Sequence, residues 1–345
     1  MSVGVVGLGL VGGSLARALQ AAGVPVVATD PASGGQARAA GLTIADDVAH
    51  LAANRPDVVV LAAPLRAMRS VAAELAESLA DEPGWDPTVT DVGSVKGPVR
   101  DAVSEAGLGE RYVGAHPMSG TEQSGFAASS AELMQGVPWA VTVTPATDPD
   151  RLLWVLRLVT GPLGGTAAVL TDDLHDEAVA LVSHVPHVLA NQLLGAVASA
   201  PVRDVALRLA AGSFRDGTRV GFTDPRRTEA MVTENAAWVA PALRLAARDL
   251  ERLADALDSN APTHAFFDRP EPVRELLGRG GAARVTGLRP GDGRPGDGRL
   301  GDGAAGAAGD VEEVPLTGEW PAALLTRCAQ GAVLIALTPE SALLR

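Results

Sequence analysis

The stretch Val3-Gly4-Val5-Val6-Gly7-Leu8-Gly9-Leu10-Val11-Gly12 decides the fold of this chain. A short apolar run ends in glycines, and helical spacing begins at Gly12, which predicts a strand, a tight turn and a helix. The glycines satisfy the pattern G-x-G-x-x-G. In this pattern the first glycine permits the turn, the second leaves room for a pyrophosphate, and the third lets helix and strand approach closely. The pattern alone is weak, because a glycine-rich turn can also bind nothing.

The residues that follow favour a dinucleotide site. A second apolar run covers 26–29, and Asp30 stands at its end, eighteen residues after Gly12. In dinucleotide-binding domains an acid about 20 residues beyond the glycines accepts hydrogen bonds from ribose hydroxyls. The alternative is that Asp30 is only a turn residue before Pro31. A carboxylate there also repels a 2′-phosphate, so the sequence predicts NAD rather than NADP. The predicted cofactor-binding residues are Gly7, Leu8, Gly9, Leu10, Val11, Gly12, Asp30, Ala63 and Pro64.

Strands and helices alternate as far as residue 171. Further strands are predicted at 58–63, 89–91, 112–115 and 166–170, and the run 166–170 is expected to be the last strand of the sheet. Such alternation indicates a parallel sheet, whose ligands gather at the C-terminal ends of the strands. Three features follow strand ends and are expected on one rim: the glycine turn, Ser94 and His116. The sequence therefore predicts a Rossmann-type domain over residues 1–171.

The pattern changes at residue 172. Long helices with almost no strand signal predict an all-helical domain over 172–262, so the predicted fold class is α/β with a Rossmann-type parallel sheet followed by a helical domain. The Gly/Pro-rich segment 263–310 cannot offset its ordering entropy and is predicted to be a flexible linker. Residues 311–345 turn apolar again but are too few for a core of their own.

Composition and charge narrow the class of protein. The formal net charge of −13 and the pI near 4.9 argue against a nucleic-acid partner, because phosphate binding needs clustered Lys and Arg. The single cysteine, Cys328, fits a reducing compartment. No basic n-region precedes the first apolar run, and no run of about 18 apolar residues predicts a membrane span. We expect a cytoplasmic protein with no membrane partner.

His116, in the stretch Gly114-Ala115-His116-Pro117-Met118-Ser119-Gly120-Thr121-Glu122, is the leading candidate for chemistry. A histidine at a strand end can accept a proton near neutral pH, since its unperturbed pKa is about 6.5. The alternative is a structural histidine that bridges loop carbonyls. Ser94 and Lys96 lie in the exit loop of a neighbouring strand, as substrate or cofactor contacts or as ordinary turn residues.

Other candidates lie in the helical domain. Arg219 falls in a glycine-bounded segment, 212–219, which is predicted to be a loop. The guanidinium of Arg219 can bind a carboxylate bidentately, or it can form a surface salt bridge with Asp216. Ser183 and His187 are four residues apart and share a helix face. The histidines lack the H-E-x-x-H pattern and a carboxylate ligand set, so no metal site is predicted.

Five stretches follow one another along the chain: Gly7 to Gly12, Thr90-Asp91-Val92-Gly93-Ser94-Val95-Lys96, His116-Pro117-Met118-Ser119-Gly120-Thr121-Glu122, Ser183-His184-Val185-Pro186-His187, and Phe214-Arg215-Asp216-Gly217-Thr218-Arg219. The first is common to many dehydrogenases. Together with the other four it resembles the prephenate and arogenate (cyclohexadienyl) dehydrogenase family of tyrosine biosynthesis. The resemblance implies NAD-dependent oxidative decarboxylation of prephenate to 4-hydroxyphenylpyruvate, or of arogenate to tyrosine. It also implies that the helical domain forms a homodimer, and that 311–345 is either a remnant of a regulatory ACT domain or an unrelated tail.

The resemblance further implies a role for each candidate residue. His116 accepts the proton of the ring hydroxyl while hydride leaves the same carbon for the nicotinamide, and Ser94 helps to hold His116 and the hydroxyl. Arg219 binds a substrate carboxylate. The residues implied to line or gate the pocket are Ser183, His187, Thr121 and Glu122. Two alternatives stay open: a β-hydroxyacid or imine-reducing dehydrogenase of similar architecture, usually centred on a lysine, and a non-catalytic dinucleotide sensor.

Overall fold

The computed structural model describes residues 1–121, 123–278 and 311–345, and these fall into two compact units. The first unit holds Met1–Asp172 and the C-terminal residues 311–345. The second unit begins at Asp173 and holds the described residues as far as 278. The C-terminal residues are therefore part of the first unit although the whole second unit precedes them in the chain.

A four-stranded parallel sheet lies at the start of the first unit, with the order β2-β1-β3-β4. Its strands are β1 (Val3–Val6), β2 (Val26–Thr29), β3 (Val58–Leu61) and β4 (Thr88–Asp91). All residues of β1, β3 and β4 are buried, and β1 and β3 are accordingly continuous apolar or small-residue runs rather than alternating ones. The Rossmann-type parallel sheet is confirmed.

Five helices connect the strands of this part: α1 (Leu10–Ala21), α2 (Gly34–Ala39), α3 (Val48–Ala52), α4 (Met68–Ala80) and α5 (Gly97–Glu105). Helix α3 begins where the Asp47 carboxylate accepts from the His50 amide, and α5 begins with Pro98 in its first turn. Both are ordinary helix-start signals. The helices bury one face each against the sheet, as their spacing of apolar residues predicts.

The second sheet of this unit is mixed, with the order β5-β6-β7-β9-β10-β8, in which β8 (Glu312–Pro315), β9 (Leu334–Leu337) and β10 (Ser341–Leu344) come from the C-terminal residues. Strand β5 (Gly114–Pro117) is antiparallel to β6 (Pro138–Thr142), and β6 is parallel to β7 (Thr166–Leu170) across helix α6 (Pro149–Thr160). One isolated parallel bridge, Val89 to Tyr112, joins the two sheets. Strand β5 therefore runs in the same direction as β4, and the two strands end at the same edge.

The C-terminal residues complete this second sheet. They form β8 (Glu312–Pro315), α15 (Trp320–Ala329), β9 (Leu334–Leu337) and β10 (Ser341–Leu344). Strand β9 pairs with β7 through Ala167 and Leu334, and the buried side chains of α15 join the core of the first unit. The prediction that β7 is the last strand of the sheet is wrong, because strands from the distant C-terminus extend it. The apolar residues of 311–345 thus pack into the hydrophobic core of the first unit.

The second unit is helical throughout its described residues. Its helices are α7 (Asp172–Val179), α8 (Val185–Ser199), α9 (Arg203–Leu209), α10 (Gly212–Thr218), α11 (Pro225–Glu234), α12 (Ala236–Asp258), α13 (His264–Asp268) and α14 (Glu271–Gly278). A π-helical turn, Ala180–His184, separates α7 from α8. Pro186 lies two residues after this turn. Since proline has no N–H to donate to the Val182 carbonyl, a widened turn satisfies the backbone more readily than a regular helix.

Two predictions for this region are wrong. The segment 212–219 is helical over Gly212–Thr218 rather than a loop, and Thr218 is buried, with its hydroxyl donating to the Phe214 carbonyl one turn earlier. The flexible linker was predicted to begin at 263, but α13 and α14 cover most of 264–278. The rest of the predicted linker lies outside the described residues. None of the described helices combines the length and the apolar composition that a membrane span needs.

Candidate active site

The glycine turn after β1 has the geometry that a dinucleotide fingerprint needs. Gly7 has φ +102°, and a Cβ there would lie 2.7 Å from the Ala62 carbonyl group. A Cβ on Gly12 would lie 2.2 Å from the Gly7 carbonyl oxygen. Both positions therefore exclude a side chain, the first by backbone conformation and the second by close contact between helix and turn.

Gly9, by contrast, faces open space. A Cβ at this position would meet nothing within 4 Å, and Gly9 is the N-cap of α1. The first turn of α1 carries no acidic side chain, so its amides and the positive end of the helix dipole face that space. A pyrophosphate fits there, since helix N-termini bind phosphate through such amides.

Asp30 is fixed by three backbone amides. Its Oδ2 accepts from Leu8 N at 2.7 Å, and its Oδ1 accepts from Ala32 N at 2.8 Å and from Ser33 N at 2.6 Å. The carboxylate at the end of β2 is thereby held against the glycine turn at the end of β1. Such a fixed anion suits ribose hydroxyl groups and disfavours a 2′-phosphate.

Ala63 and Pro64 lie on the same rim. The Ala62–Ala63 backbone borders the space that a Cβ on Gly7 would occupy, so the exit of β3 is next to the glycine turn. Ala63 is half-buried and Pro64 is exposed. Their position is compatible with the predicted contact to the cofactor.

His116 lies in β5, opposite Ala140 of β6, and is half-buried. The chain after it is held to the same unit, since Met118 N donates to the Pro138 carbonyl at 2.8 Å and Ser119 Oγ to the Leu133 carbonyl at 2.6 Å. Because β4 and β5 run in the same direction, His116 and the Ser94 loop follow strand ends at the same edge of the unit. Ser94 is half-buried.

The loop beyond His116 carries two predicted pocket residues. Thr121 is exposed, and its Oγ1 accepts from Gln123 N at 3.2 Å. Glu122 lies outside the described residues. Thr121 therefore belongs to a turn at the surface, beside the strand that carries His116.

Lys96 does not reach the surface of the unit. Its side chain is fully buried, and its ammonium donates to the Asp91 carboxylate and, at 2.7 Å, to the Ala115 carbonyl. Tyr112 Oη donates to the same carboxylate at 2.8 Å. Asp91 and Tyr112 were not singled out from the sequence; the only signal was an acid at a strand end five residues before a lysine.

In the second unit Ser183 and His187 are directly linked. His187 Nδ1 donates to the Ser183 carbonyl at 2.8 Å, which leaves Nε2 as acceptor, 3.4 Å from Thr223 Oγ1. Burial, with smaller effects of Arg227 and Arg219, lowers the pKa of His187. Arg219 itself is exposed and, among the described residues, makes no ion pair with Asp216 or another carboxylate. His187 is thus a neutral, oriented imidazole near two guanidinium groups.

A buried polar cluster stabilises the helix turn that carries Ser183. Asn235 Nδ2 donates to the Asp176 carbonyl at 2.8 Å and lies 3.0 Å from His184 Nδ1. Burial lowers the pKa of His184 to about 4, so this imidazole is neutral and accepts from Asn235. His184 is therefore a buried, neutral histidine held by a hydrogen bond inside the helical unit. Within the described ranges no three histidine, cysteine or carboxylate side chains come together as a metal site.

The glycine turn, the anchored Asp30 and the histidine at a neighbouring strand end define an NAD-dependent dehydrogenase that joins a Rossmann-type unit to a helical one. Family models make the assignment more specific. The prephenate dehydrogenase nucleotide-binding domain matches residues 15–169, and the prephenate dehydrogenase dimerization domain matches residues 171–267. The chain belongs to the prephenate dehydrogenase family.

Individual relatives agree with this family. The chain is 36% identical to cyclohexadienyl dehydrogenase of Zymomonas mobilis over 265 residues, which cover 74% of this chain and 88% of the relative. A crystal structure of prephenate dehydrogenase from A. aeolicus in complex with hydroxyphenyl propionate and NAD+ matches with a TM-score of 0.68 at 31% identity, covering 83% of this chain and 98% of the other. Arogenate dehydrogenase of Synechocystis matches with a TM-score of 0.64 at 28% identity, covering 84% and 100%.

Proposed function

We propose that this protein is an NAD-dependent dehydrogenase that oxidatively decarboxylates prephenate to 4-hydroxyphenylpyruvate, or arogenate to tyrosine, in tyrosine biosynthesis. Family membership supports the activity. The observation that carries the proposal is the position of His116, at the end of a strand that runs parallel to β4 and ends at the same edge as the Ser94 loop. The fold of the cofactor turn supports NAD as the cofactor.

The reaction requires the side chains to position the substrate and the cofactor and to supply one proton acceptor. NAD, when bound, supplies the hydride acceptor. Hydride leaves the ring carbon that bears the hydroxyl while His116 takes the hydroxyl proton, so a C–H and an O–H bond break and a C=O bond forms. The bond between the ring and its carboxylate then breaks and CO₂ leaves. The electron pair of that bond stays on the ring, which becomes an aromatic phenolate. The proton returns from His116 to the phenolate oxygen, which restores the neutral imidazole.

The remaining site residues are proposed as substrate contacts. Arg219 binds a substrate carboxylate, supported by its exposure and by its lack of an ion pair with another described residue. Ser94 supports His116 and the hydroxyl. The residues proposed to line or gate the pocket are Ser183, His187, Thr121 and Glu122. For His187 the support is its neutral, oriented ring, which can accept a hydrogen bond without adding charge.

A homodimer formed through the helical unit is also part of the proposal. Large apolar side chains of this unit are exposed in the single chain, including Val182 and Leu209, each 76% exposed, and Phe222, 69% exposed. Exposed apolar surface of this kind is typical of subunit interfaces. A cytoplasmic location stays a prediction from the sequence.

The proposal is tested by incubating the purified protein with NAD and either prephenate or arogenate. We expect NADH at 340 nm in a one-to-one ratio with the aromatic product and CO₂ from at least one substrate. Folded protein that forms neither NADH from NAD nor NADPH from NADP, with either substrate, contradicts the proposal. NAD binding without turnover of any cyclohexadienyl substrate indicates a sensor instead.

A further inference from the structure

A buried ion pair closes the junction between the two sheets beside His116. Strands β4 and β5 belong to different sheets and share one isolated bridge. Beyond that bridge the two segments are connected by side chains instead of backbone hydrogen bonds. These side chains are Asp91 at the end of β4 and Lys96 at the start of α5. Both side chains are fully buried and bonded to each other, and we call them the buried pair.

The buried pair binds both backbone groups of Ala115, the residue directly before His116. Ala115 N donates to Asp91 Oδ1 at 3.1 Å, and the Ala115 carbonyl accepts from Lys96 Nζ at 2.7 Å. On its other side β5 is paired with β6, where His116 lies opposite Ala140. The backbone at His116 is therefore held by a ladder on one side and by the buried pair on the other.

The same pair holds the loop that carries Ser94. Asp91 Oδ2 accepts from Gly93 N at 2.7 Å, and Lys96 ends the loop, so both ends of the loop are bound to one carboxylate. Gly114 leaves the space that the lysine stem needs, because a Cβ there would lie 3.3 Å from Lys96 Cδ and 2.3 Å from Thr142 Oγ1. The position of the Ser94 loop relative to β5 is thus set by a small number of directional bonds.

Stability alone does not account for such a pair. Buried ion pairs are often no more stabilising than apolar side chains of equal volume, because desolvation offsets the attraction. A carboxylate and an ammonium, however, can bind a specific N–H and a specific C=O, which apolar groups cannot do. The pair is therefore suited to fixing one geometry between two chain segments.

We propose that Asp91 and Lys96 are positioning residues that set the placement of His116 relative to Ser94 for the dehydrogenase reaction. The inference rests on the proposed role of His116 as proton acceptor. The buried pair contacts neither substrate nor cofactor and acts through the backbone of Ala115 and through the ends of the Ser94 loop.

The test is a double-mutant cycle between Lys96→Met and His116→Asn, measured as kcat for NADH formation from prephenate and as the Kd for NAD. Lys96→Met removes the ammonium and keeps an unbranched stem.

We expect Lys96→Met to lower kcat about 10- to 100-fold, as a misplaced catalytic group does, and to leave the Kd for NAD within about twofold. In the His116→Asn background it should lower kcat by less than about threefold, since two residues that act as a unit are not additive. Equal losses in both backgrounds, or no loss in the wild-type background, overturn the inference.

Tyr112→Phe is the matched control. It deletes a buried hydrogen bond to the same Asp91 carboxylate but leaves both bonds to Ala115 in place. We expect its kcat to stay within about threefold of the wild-type value, because the two bonds through which the buried pair holds Ala115 do not involve Tyr112. A loss as large as that of Lys96→Met means that any loosening of this cluster impairs the enzyme, and the inference fails.

A second variant covers the case in which Lys96→Met does not fold. Lys96→Gln keeps an amide NH₂ donor group without the charge, and an intermediate loss of kcat is expected. Full activity in folded Lys96→Gln overturns the inference. The result for His116→Asn separates the two claims. If that variant alone has the wild-type kcat, the proposed function of His116 is wrong, whereas an impaired His116→Asn with a fully active Lys96→Met contradicts only the positioning role.

Discussion

The Asp30 carboxylate lies 2.7 Å from the backbone nitrogen of Leu8, so the acid that ends β2 is bonded to the glycine turn that ends β1. One side chain thereby links the two segments at which a dinucleotide is expected, the ribose acceptor and the pyrophosphate turn. Loss of this carboxylate affects both segments together.

Asp30→Ala is expected to raise the Kd for NAD about 10- to 100-fold, because hydrogen bonds to a charged group are worth about 1.5–3 kcal/mol. It should also weaken the preference for NAD over NADP, since the repulsive charge is gone. Titration of both cofactors by fluorescence measures this. The control is Asp46→Ala, which removes an exposed aspartate of the same unit that pairs with Arg38. An unchanged Kd for NAD in Asp30→Ala contradicts the assigned site.

Two glycines of the turn should respond differently to alanine. Gly9→Ala adds a methyl group to open space, so the melting temperature should be unchanged while NAD binding weakens where the pyrophosphate is expected. Gly12→Ala forces the turn and helix apart and should destabilise the protein by about 1–3 kcal/mol, as overpacking does. Thermal denaturation and NAD titration of both variants check this. Normal NAD affinity in Gly9→Ala counts against a pyrophosphate at that position.

Arg219→Met is expected to raise the KM for prephenate about 10- to 100-fold, because a charge-assisted contact to a carboxylate is lost. The KM for NAD should not change. Arg215→Met removes another exposed arginine one helical turn earlier and serves as the control. Steady-state kinetics that show equal effects in the two variants indicate that Arg219 contributes general positive charge rather than a specific contact.

His184 should make stability depend on pH. Its pKa is about 4 in the folded protein and about 6.5 when unfolded, so the unfolded chain binds more protons between these values. The free energy of unfolding should therefore fall as the pH drops from 7 to 4.5, by about 2 kcal/mol from this residue. Urea titrations of wild type and His184→Gln, which can still accept from Asn235, isolate the contribution as the difference between the two slopes. His264→Gln, at an exposed position, is the control. Parallel slopes for wild type and His184→Gln refute the prediction.

Local patterns in the sequence were sufficient for the parts of the fold that depend on near neighbours. The turn at Gly7 and Gly12 and the buried strands were predictable because periodicity and glycine spacing report on them directly. The addition of β8, β9 and β10 to the sheet of β7 was not, because strand pairing across more than 140 residues leaves no local signal. The helix at Gly212–Thr218 was missed because its glycines lower helix propensity, and tertiary packing of Thr218 overrides that preference.

For the candidate site, the sequence predicts which residues follow strand ends but not which side chains are buried and paired. The sequence predicts His116 and Ser94 because the ends of parallel strands meet at one rim, which is a property of topology rather than of side-chain contacts. The burial of Lys96 was not predictable, since lysine is rarely fully buried unless it is paired, and its partner Asp91 is identified only by three-dimensional contact. Asn235 was missed for the same reason: its contacts are with residues more than 50 positions away.

The measurement that tests the central claim most directly is the turnover of His116→Asn with saturating prephenate and NAD, beside its Kd for NAD. We predict a loss of about 10²- to 10⁴-fold in kcat, as removal of a general base produces, with the Kd for NAD unchanged. A variant that binds NAD normally and turns over within tenfold of the wild-type rate, about 1.4 kcal/mol, would show that His116 is not the proton acceptor.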